Sequence, residues 1–384
     1  MEKTYDIVLF GATGFTGQLI AKYIDQYSPH EKIRWAIAGR NRQKLEKLQN
    51  QLQGLIMPDI VIADIEEEES LDKMTSAASI LMNAAGPFEW YGRKVVSACI
   101  KNKCNYLDIT GEPEFITDIA EDYHNAAVNE RLTIVNCCGF DSVPADLATW
   151  IAVKNLPQGK PIAARVFIRT NARFSGGTLI TAVNAIHRKL TGKRRPRKLK
   201  PKHPDAPAIN INIHKEKELK AWAIPMPVAD IHIVKRSAFL MPEDYGYAFS
   251  YAQFFLKSSF YKMLRLIIPI LTGMTMLRFK WFRNYLFKRF RPGKGPTDMQ
   301  RAKAKFEVLC IARSSDKEVR VVISGGDPGY DETAKMFSES AFTLLGKIRT
   351  KSQNFGVLTP VVALGEDLVH RLKNKGINID VIKS

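Results

Sequence analysis

The 384 residues are 45% hydrophobic and 25% charged, the balance of an ordinary globular chain rather than a disordered or fibrous one, and the length suits two domains better than one. Lysine and arginine number 57 against 39 acids, a formal net charge of +18; the first third is near balance and the excess falls in the middle of the chain. Five cysteines, Cys99, Cys104, Cys137, Cys138 and Cys310, are odd in number and unpatterned, and neither they nor the seven histidines have metal-ligand spacing, so no metal and no disulfide scaffold is expected.

The chain begins with a charged Glu2-Lys3 leading straight into an apolar strand, Ile7-Val8-Leu9-Phe10. The expectation is a chain without a signal peptide, in a reducing, cytoplasmic setting. After that strand comes Gly11-Ala12-Thr13-Gly14-Phe15-Thr16-Gly17, then an amphipathic helix, then a second strand, Trp35-Ala36-Ile37-Ala38. Strand, three-glycine turn, helix and strand make up a dinucleotide-binding unit. Gly11 serves the tight turn, Gly14 admits the pyrophosphate to the backbone, and Gly17 lets helix and strand pack closely. The helix N-terminus turns free N–H groups and its positive dipole end towards the anion.

The second strand ends in Gly39-Arg40-Asn41-Arg42, with no acid before Glu46. An NAD-binding unit usually has Asp or Glu there for the ribose hydroxyls, whereas the planar guanidinium of Arg40 suits a 2′-phosphate. The cofactor expected is therefore NADP(H). A plain solvated charge opening the next helix is the other reading of Arg40.

Strand-like and helix-like stretches keep alternating. Ile60 to Asp64 is a strand, a short helix follows the acidic Glu66–Glu69, and Ile80-Leu81-Met82-Asn83-Ala84-Ala85-Gly86-Pro87 is a strand with a small-residue turn. Val95 to Ile100 is helical, while Tyr106–Ile109 and Thr133–Asn136 are strands. Near-continuous apolar strands between helices predict a parallel sheet covered on both faces, with ligands outside the strands' carboxyl ends. Those ends supply the candidate residues. Asp64 could meet the adenine, and Asn83, Ala84, Gly86 and Pro87 would run along the nicotinamide ribose. Tyr91, Asp108, Glu112 and Asp141 could donate a proton to a substrate; for each, a turn or cap role is the alternative. Ser142 is placed as an N-cap with Pro144 in the first helical turn.

Beyond residue 150 a second domain is expected, with strands at Ala164–Arg169 and Val228–Val234 around a basic, proline-containing loop from Arg188 to Lys220. Between Tyr245 and Thr297 there is no acid but ten lysines and arginines, interleaved with aromatic and aliphatic residues from Phe254 to Phe290. Its longest uncharged run, the twelve residues Leu266 to Leu277, is too short to span a bilayer, which takes about 20. Apolar side chains beside a purely cationic set describe an element lying on a membrane or lipid surface. A basic helical hairpin in the core or a homodimer interface is the alternative; nucleic acid fits the aromatic density less well. Glu307–Ala312 and Val319–Ser324 read as a hairpin, a helix follows from Asp331, and Thr359-Pro360 opens a last helix ending near Lys373.

Several stretches together resemble the saccharopine dehydrogenase-like oxidoreductases, in particular the branch of the trans-acting enoyl reductases. They are the glycine turn, Ala38-Gly39-Arg40, Asn83 to Phe88 with Tyr91-Gly92, Asp108-Ile109-Thr110-Gly111-Glu112, Gly139 to Leu147, and Gly356 to Pro360. The resemblance implies an α/β chain with three parts. Residues 1–150 would form a Rossmann-type NADP-binding domain with a doubly wound parallel sheet. Residues 151–330 would form a second α+β domain facing substrate and lipid, and 331–384 C-terminal helices packing back on the first. It implies NADP(H)-linked reduction of an activated C=C (enoyl) or C=N bond in a lipid-type substrate, by a protein peripherally associated with a membrane or lipid surface. A saccharopine-type amino-acid conjugate dehydrogenase and a non-enzymatic cofactor-binding protein at lipid surfaces are the other two readings.

Overall fold

The computed structural model describes residues 3–172, 203–226, 228–276, 279, 281–282, 295–315 and 317–383. The first part of the predicted basic loop, residues 188–202, and the part of the cationic segment that includes Lys288, Arg289 and Arg291, lie outside the described residues.

The chain folds around two seven-stranded sheets. The first is wholly parallel. It contains β1 (Tyr5–Phe10), β2 (Trp35–Gly39), β3 (Asp59–Ile62), β4 (Ala78–Asn83), β5 (Asn105–Asp108), β6 (Thr133–Val135) and, from far along the chain, β13 (Gly356–Leu358). Their order is β13-β6-β5-β4-β1-β2-β3, so the chain reverses direction across the sheet between β1 and β4. Such a switch point leaves a crevice at the strands' carboxyl ends. Helices α1 (Phe15–Glu31), α2 (Arg42–Gln49), α3 (Glu68–Ala77), α4 (Phe88–Lys101) and α5 (Pro113–Asn129) make the crossovers. Every residue of β2 is buried, as a strand covered on both faces requires.

After α6 (Val143–Lys154) the second sheet begins with β7 (Ile162–Thr170). It continues with β8 (His214–Glu216), β9 (Ala221–Pro225), β10 (Phe249–Lys257), β11 (Phe306–Ser314), β12 (Lys317–Gly325) and β14 (Asn378–Lys383). The order is β14-β12-β11-β7-β10-β9-β8, with β7 and β10 parallel and the other pairs antiparallel. Among the described residues the remaining helices are α7 (Ala229–Leu240), α8 (Pro242–Tyr245), α9 (Phe260–Met276), α10 (Asp298–Ala302), α11 (Asp331–Arg349) and α12 (Pro360–Asn374). One apolar cluster runs from Ile7, Leu9 and Met82 through Leu147 and Trp150 of α6 to Val166, Val308 and Val321. The two sheets therefore share a core.

Two expectations are corrected. Residues Val228–Val234 are not a strand but the start of α7, in which Ala229, Asp230, Ile233, Val234 and Ser237 are buried. Spacings of four and eight mark one helical face, which a run of β-branched residues disguises. The cationic segment is not a surface element from its start either. Within it β10 is an inner strand between β7 and β9, and Phe254 and Phe255 belong to the core. The exposed part begins at α9, whose Phe260, Tyr261, Ile268, Ile270 and Leu271 each show half or more of their surface to solvent.

The tail is more than helices. α11 lies against α1 and α12 against α11, and polar groups gathered around the buried Glu339 tie them there. The Tyr23 hydroxyl donates to Glu339 at 2.8 Å, and Arg371 donates to Glu339 at 2.6 Å and pairs with Glu31. The tail also adds β13 to the first sheet and β14 to the second. Thr359 caps α12 by accepting from the Val362 N–H, with Pro360 at its first position.

Candidate active site

The crevice has two walls. On the dinucleotide side, Gly11 has φ +81°, and a Cβ there would sit 2.8 Å from the Ala85 nitrogen. Only glycine fits where the β1 and β4 turns meet backbone to backbone. A Cβ on Gly17 would collide with the Gly11 carbonyl and stand 2.9 Å from the Ala12 Cα. At Gly14 the nearest atom to such a Cβ is the Gly11 oxygen at 3.3 Å, so this position stays open towards the crevice.

Gly14 is the N-cap of α1, with no side-chain cap and no acid in the first turn. The first N–H groups of a helix lack intrahelical partners. This bare, 17-residue helix start fits a pyrophosphate: Thr13, Gly14, Phe15, Thr16 and Gly17 present backbone, and Gln18 fastens the turn by donating to the Thr13 carbonyl at 3.0 Å. The Phe15 ring itself turns away to the second domain. It packs edge-on against Tyr330 at 4.8 Å, under Arg301 at 5.7 Å and against Gly295. These three partners are more than 270 residues away in the chain.

Beyond β2, Arg40 is exposed, and no hydrogen bond or ion pair ties it to another described residue. Its neighbour Asn41 caps α2 instead, accepting from the Lys44 N–H at 2.9 Å. Asp64 serves its own turn, accepting from the Glu66 N–H at 3.1 Å.

The other wall is acidic. Asn83 is fully buried; its side-chain oxygen accepts from the Ala85 N–H at 2.9 Å and its amide donates to the Tyr106 hydroxyl at 3.1 Å. It shapes the turn Ala84-Ala85-Gly86-Pro87 rather than facing outward. Asp108 is the hub behind it. It accepts from Tyr106 Oη (3.0 Å), Asn136 Nδ2 (2.7 Å), Thr110 N (3.1 Å) and Cys137 N (3.0 Å). Burial raises its carboxyl to about 6 against the pull of these donors. With both oxygens engaged, Asp108 holds the ends of β5 and β6 together.

Glu112 is buried just outside, before Pro113 and α5. Its carboxylate accepts from the Glu89 N–H at 2.6 Å, at the start of α4, and burial pushes it up to about 7. Tyr91, on the same helix, is half-buried. Asp141 lies beside Gly111, after β6, with an oxygen 3.0 Å from where a Cβ on Gly111 would be. The residue is exposed, and desolvation by the protein around it raises its carboxyl pKa. Ser142 stands at the N-cap of α6 but does not cap it; its hydroxyl donates to the Asp141 carbonyl.

The structure therefore gathers Asn83, Asp108, Glu112 and Asp141 at the ends of β4, β5 and β6, and leaves Arg40 and Asp64 at the ends of β2 and β3. Sequence reasoning missed Asp146. Fully buried in α6 and pushed up to about 6 by burial, it accepts from Ser237 Oγ at 2.6 Å and Val361 N at 3.0 Å, joining α6, α7 and α12. Its place in a run of apolar residues was the signal, because a lone acid there needs buried partners.

The first domain matches the family model for the saccharopine dehydrogenase NADP-binding domain over residues 7–135. A human saccharopine dehydrogenase-like oxidoreductase is 29% identical, over 100% of this chain and 98% of its own length. The chain is similar along its whole length to the saccharopine dehydrogenase-like oxidoreductases. Its first domain is an NADP-binding domain, so the cofactor is NADP(H), and the likeness along the whole chain supports an oxidoreductase. A Mycobacterium tuberculosis relative named as a trans-acting enoyl reductase is 27% identical, over 99% of this chain and 98% of the relative. A Caenorhabditis elegans lipid droplet localized protein is also 27% identical, with 95% of each chain covered. The apo saccharopine dehydrogenase (L-Glu forming) of Saccharomyces cerevisiae superposes with a TM-score of 0.60, at 12% identity, over 99% of this chain and 100% of that one. That likeness carries the fold: a Rossmann-type domain joined to a second mixed sheet.

Proposed function

We propose that this oxidoreductase reduces an activated C=C (enoyl) or C=N bond in a lipid-type substrate while resting on a membrane or lipid surface. The observation that carries the reading is the pairing of an acid-walled crevice with α9. That helix shows aromatic and aliphatic side chains to solvent and lies in an acid-free, cationic stretch. Apolar side chains in this setting gain by entering a lipid interface, and the cations beside them by meeting anionic headgroups. No helix among the described residues is long and apolar enough to cross a membrane, so the contact proposed is peripheral. The names of the mycobacterial and nematode relatives point the same way.

NADP(H) supplies the hydride. The chain's own residues do the rest. The main chain of Gly11–Gly17 seats the pyrophosphate, Arg40 meets the 2′-phosphate, and the turn from Asn83 to Pro87 admits the nicotinamide ribose closely. The acids at the ends of β5 and β6 manage the proton that must follow the hydride.

The test is NADPH oxidation, followed by absorbance, with 2-enoyl lipids in vesicles and, separately, with soluble amino-acid imines. Turnover with the first alone supports the reading. Turnover with the second alone replaces it with the conjugate-dehydrogenase one, and NADPH binding without any turnover favours a cofactor-binding surface protein.

A further inference from the structure

A second cleft, about 840 Å³ in volume, opens at one end of the second sheet, where β7, β10 and β12 finish and β11 and β14 start. Asn378, Ser324, Glu307 and Arg169 form one cross-strand row along it. Their chain neighbours Ile379, Ile323, Val308 and Ile168 belong to the shared core, so the row stands on the opposite face of the sheet. No residue of either crevice wall borders this cleft.

Its charge is one-sided. Arg169, Lys220, Lys257, Lys262 and Lys305 border it, and among the described residues the one acid that does is Glu307, which Arg169 takes at 3.2 Å. The other four cations are all lysines. Lys220, Lys262 and Lys305 are exposed, so solutes reach them, while Lys257 is half-buried at the end of β10. Its ammonium lies 4.5 Å from the centre of the Phe255 ring, and burial first, then the charge of Lys262, lowers its pKa. Lys262 donates to Ser258 Oγ at 3.0 Å; Ser258 also borders the cleft, so this bond keeps the second ammonium at the rim. Lys220 and Ser258 border a smaller cleft as well, of about 490 Å³, which Lys215, Lys217, Trp222 and Phe260 line without an acid. The cationic field therefore continues to the start of α9. Gathering like charges in a partly desolvated place is unfavourable until an anion joins them.

Charge and size give the class of anion. A carboxylate brings one charge, whereas a phosphate monoester brings about −1.5 to −2 at neutral pH and three acceptor oxygens, which suits several lysines better. Inorganic phosphate by itself would leave most of the volume empty, and Leu219, Leu256 and Phe306 also line the cleft, so an organic, apolar body belongs on the ester. We propose that this cleft binds a phosphate monoester with an apolar body, its phosphate oxygens accepting from Lys220, Lys257 and Lys262. A lipid phosphate headgroup and a soluble alkyl phosphate share that chemistry. The proposal does not rest on the reductase reading.

Isothermal titration calorimetry on the full chain, saturated with NADP+ so that the cofactor crevice is filled, tests this with hexyl phosphate. Binding is expected, with hexanoate weaker by about tenfold or more. The double variant Lys220→Ala, Lys262→Ala changes two exposed side chains and is expected to weaken hexyl phosphate by about tenfold or more, the scale of charge-assisted contacts. Lys220→Ala alone serves if the double variant does not fold. Lys22→Ala, an exposed lysine on α1, is expected to stay within about twofold of wild type. Vesicles then separate the two sources. Phosphatidylcholine vesicles carrying phosphatidic acid are compared by sedimentation with vesicles carrying phosphatidylglycerol at matched surface charge. A preference for phosphatidic acid that the double variant loses supports the proposal with a lipid headgroup as ligand; hexyl phosphate binding without that preference supports it with a soluble ester. Neither hexyl phosphate binding nor the preference, hexanoate bound as tightly as hexyl phosphate, or no effect of the lysine variants would each overturn it. An equal loss in Lys22→Ala would also overturn it, reducing the effect to the diffuse attraction of a chain with net charge +18. NADPH oxidation is not among these readouts, so the reductase reading can fail while the cleft stands.

Discussion

Around the ends of β1, β2 and β3 the crevice is lined by main chain: Gly11, Gly14 and Gly17, the uncapped start of α1, and an exposed Arg40. Around the ends of β4, β5 and β6 it is lined by side chains, with Asn83, Asp108 and Glu112 buried and spending their oxygens on specific N–H and O–H groups. The first wall suits a group common to every dinucleotide, so backbone geometry suffices. The second must hold acids out of water, which only a network of donors makes tolerable. One wall should therefore fail through sterics and the other through electrostatics.

The largest effect expected is from Gly17→Val, whose side chain must enter the space of the Gly11 carbonyl and the Ala12 backbone. NADPH affinity by fluorescence titration should drop at least about 100-fold, with a lowered Tm; near-normal binding would break the steric account of this wall. Next is Asp108→Ala, which leaves the donors of Tyr106, Asn136, Thr110 and Cys137 without their acceptor. A loss on the order of 4 kcal/mol in urea unfolding is expected, where a surface acid would cost under about 0.5 kcal/mol.

Glu112 gives a pH signature. Its carboxyl is raised from 4.5 to about 7 in the folded chain, so between those values the native state binds more protons than the unfolded one. Stability contributed by this group is complete below about pH 4.5 and falls as pH rises to 7, by roughly 3 kcal/mol. Glu112→Gln keeps an acceptor for the Glu89 N–H and should flatten that part of the pH–stability curve; an unchanged slope would show that Glu112 is not held neutral. The smallest effect is at Arg40. Arg40→Ala should weaken NADPH about tenfold and leave NADH nearly unchanged, the scale of one charge-assisted phosphate contact. Equal losses for both would remove the 2′-phosphate from its role.

The dinucleotide wall was legible residue by residue, because glycine spacing and the missing acid after β2 are local facts. The acid wall was legible only as strand ends. Asp108, Glu112 and Asp141 were picked out as equals, and nothing local distinguishes a hub with both oxygens engaged from an acid open to the crevice. Asp146 was not picked out at all, since its partners Ser237 and Val361 are remote in the chain. Helix α7 was misread because Ile231, Ile233 and Val234 favour strand, while burial of one face against β10 and α6 decides for helix. β13 was missed because a three-residue strand has no period to detect.

Sequence alone determined the strand–glycine turn–helix unit, the parallel character of the first sheet, the cofactor class and the cationic, aromatic character of the stretch after β10. These depend on backbone sterics and short-range periodicity, which operate within a few residues. Tertiary structure decided that the last fifty residues strengthen both sheets, that Phe254 and Phe255 are core while Phe260 and Tyr261 are surface, and which acids have their charge compensated. Burial and hydrogen-bond satisfaction depend on groups brought together from distant parts of the chain, and it is these that give Asp108 a donor for each oxygen.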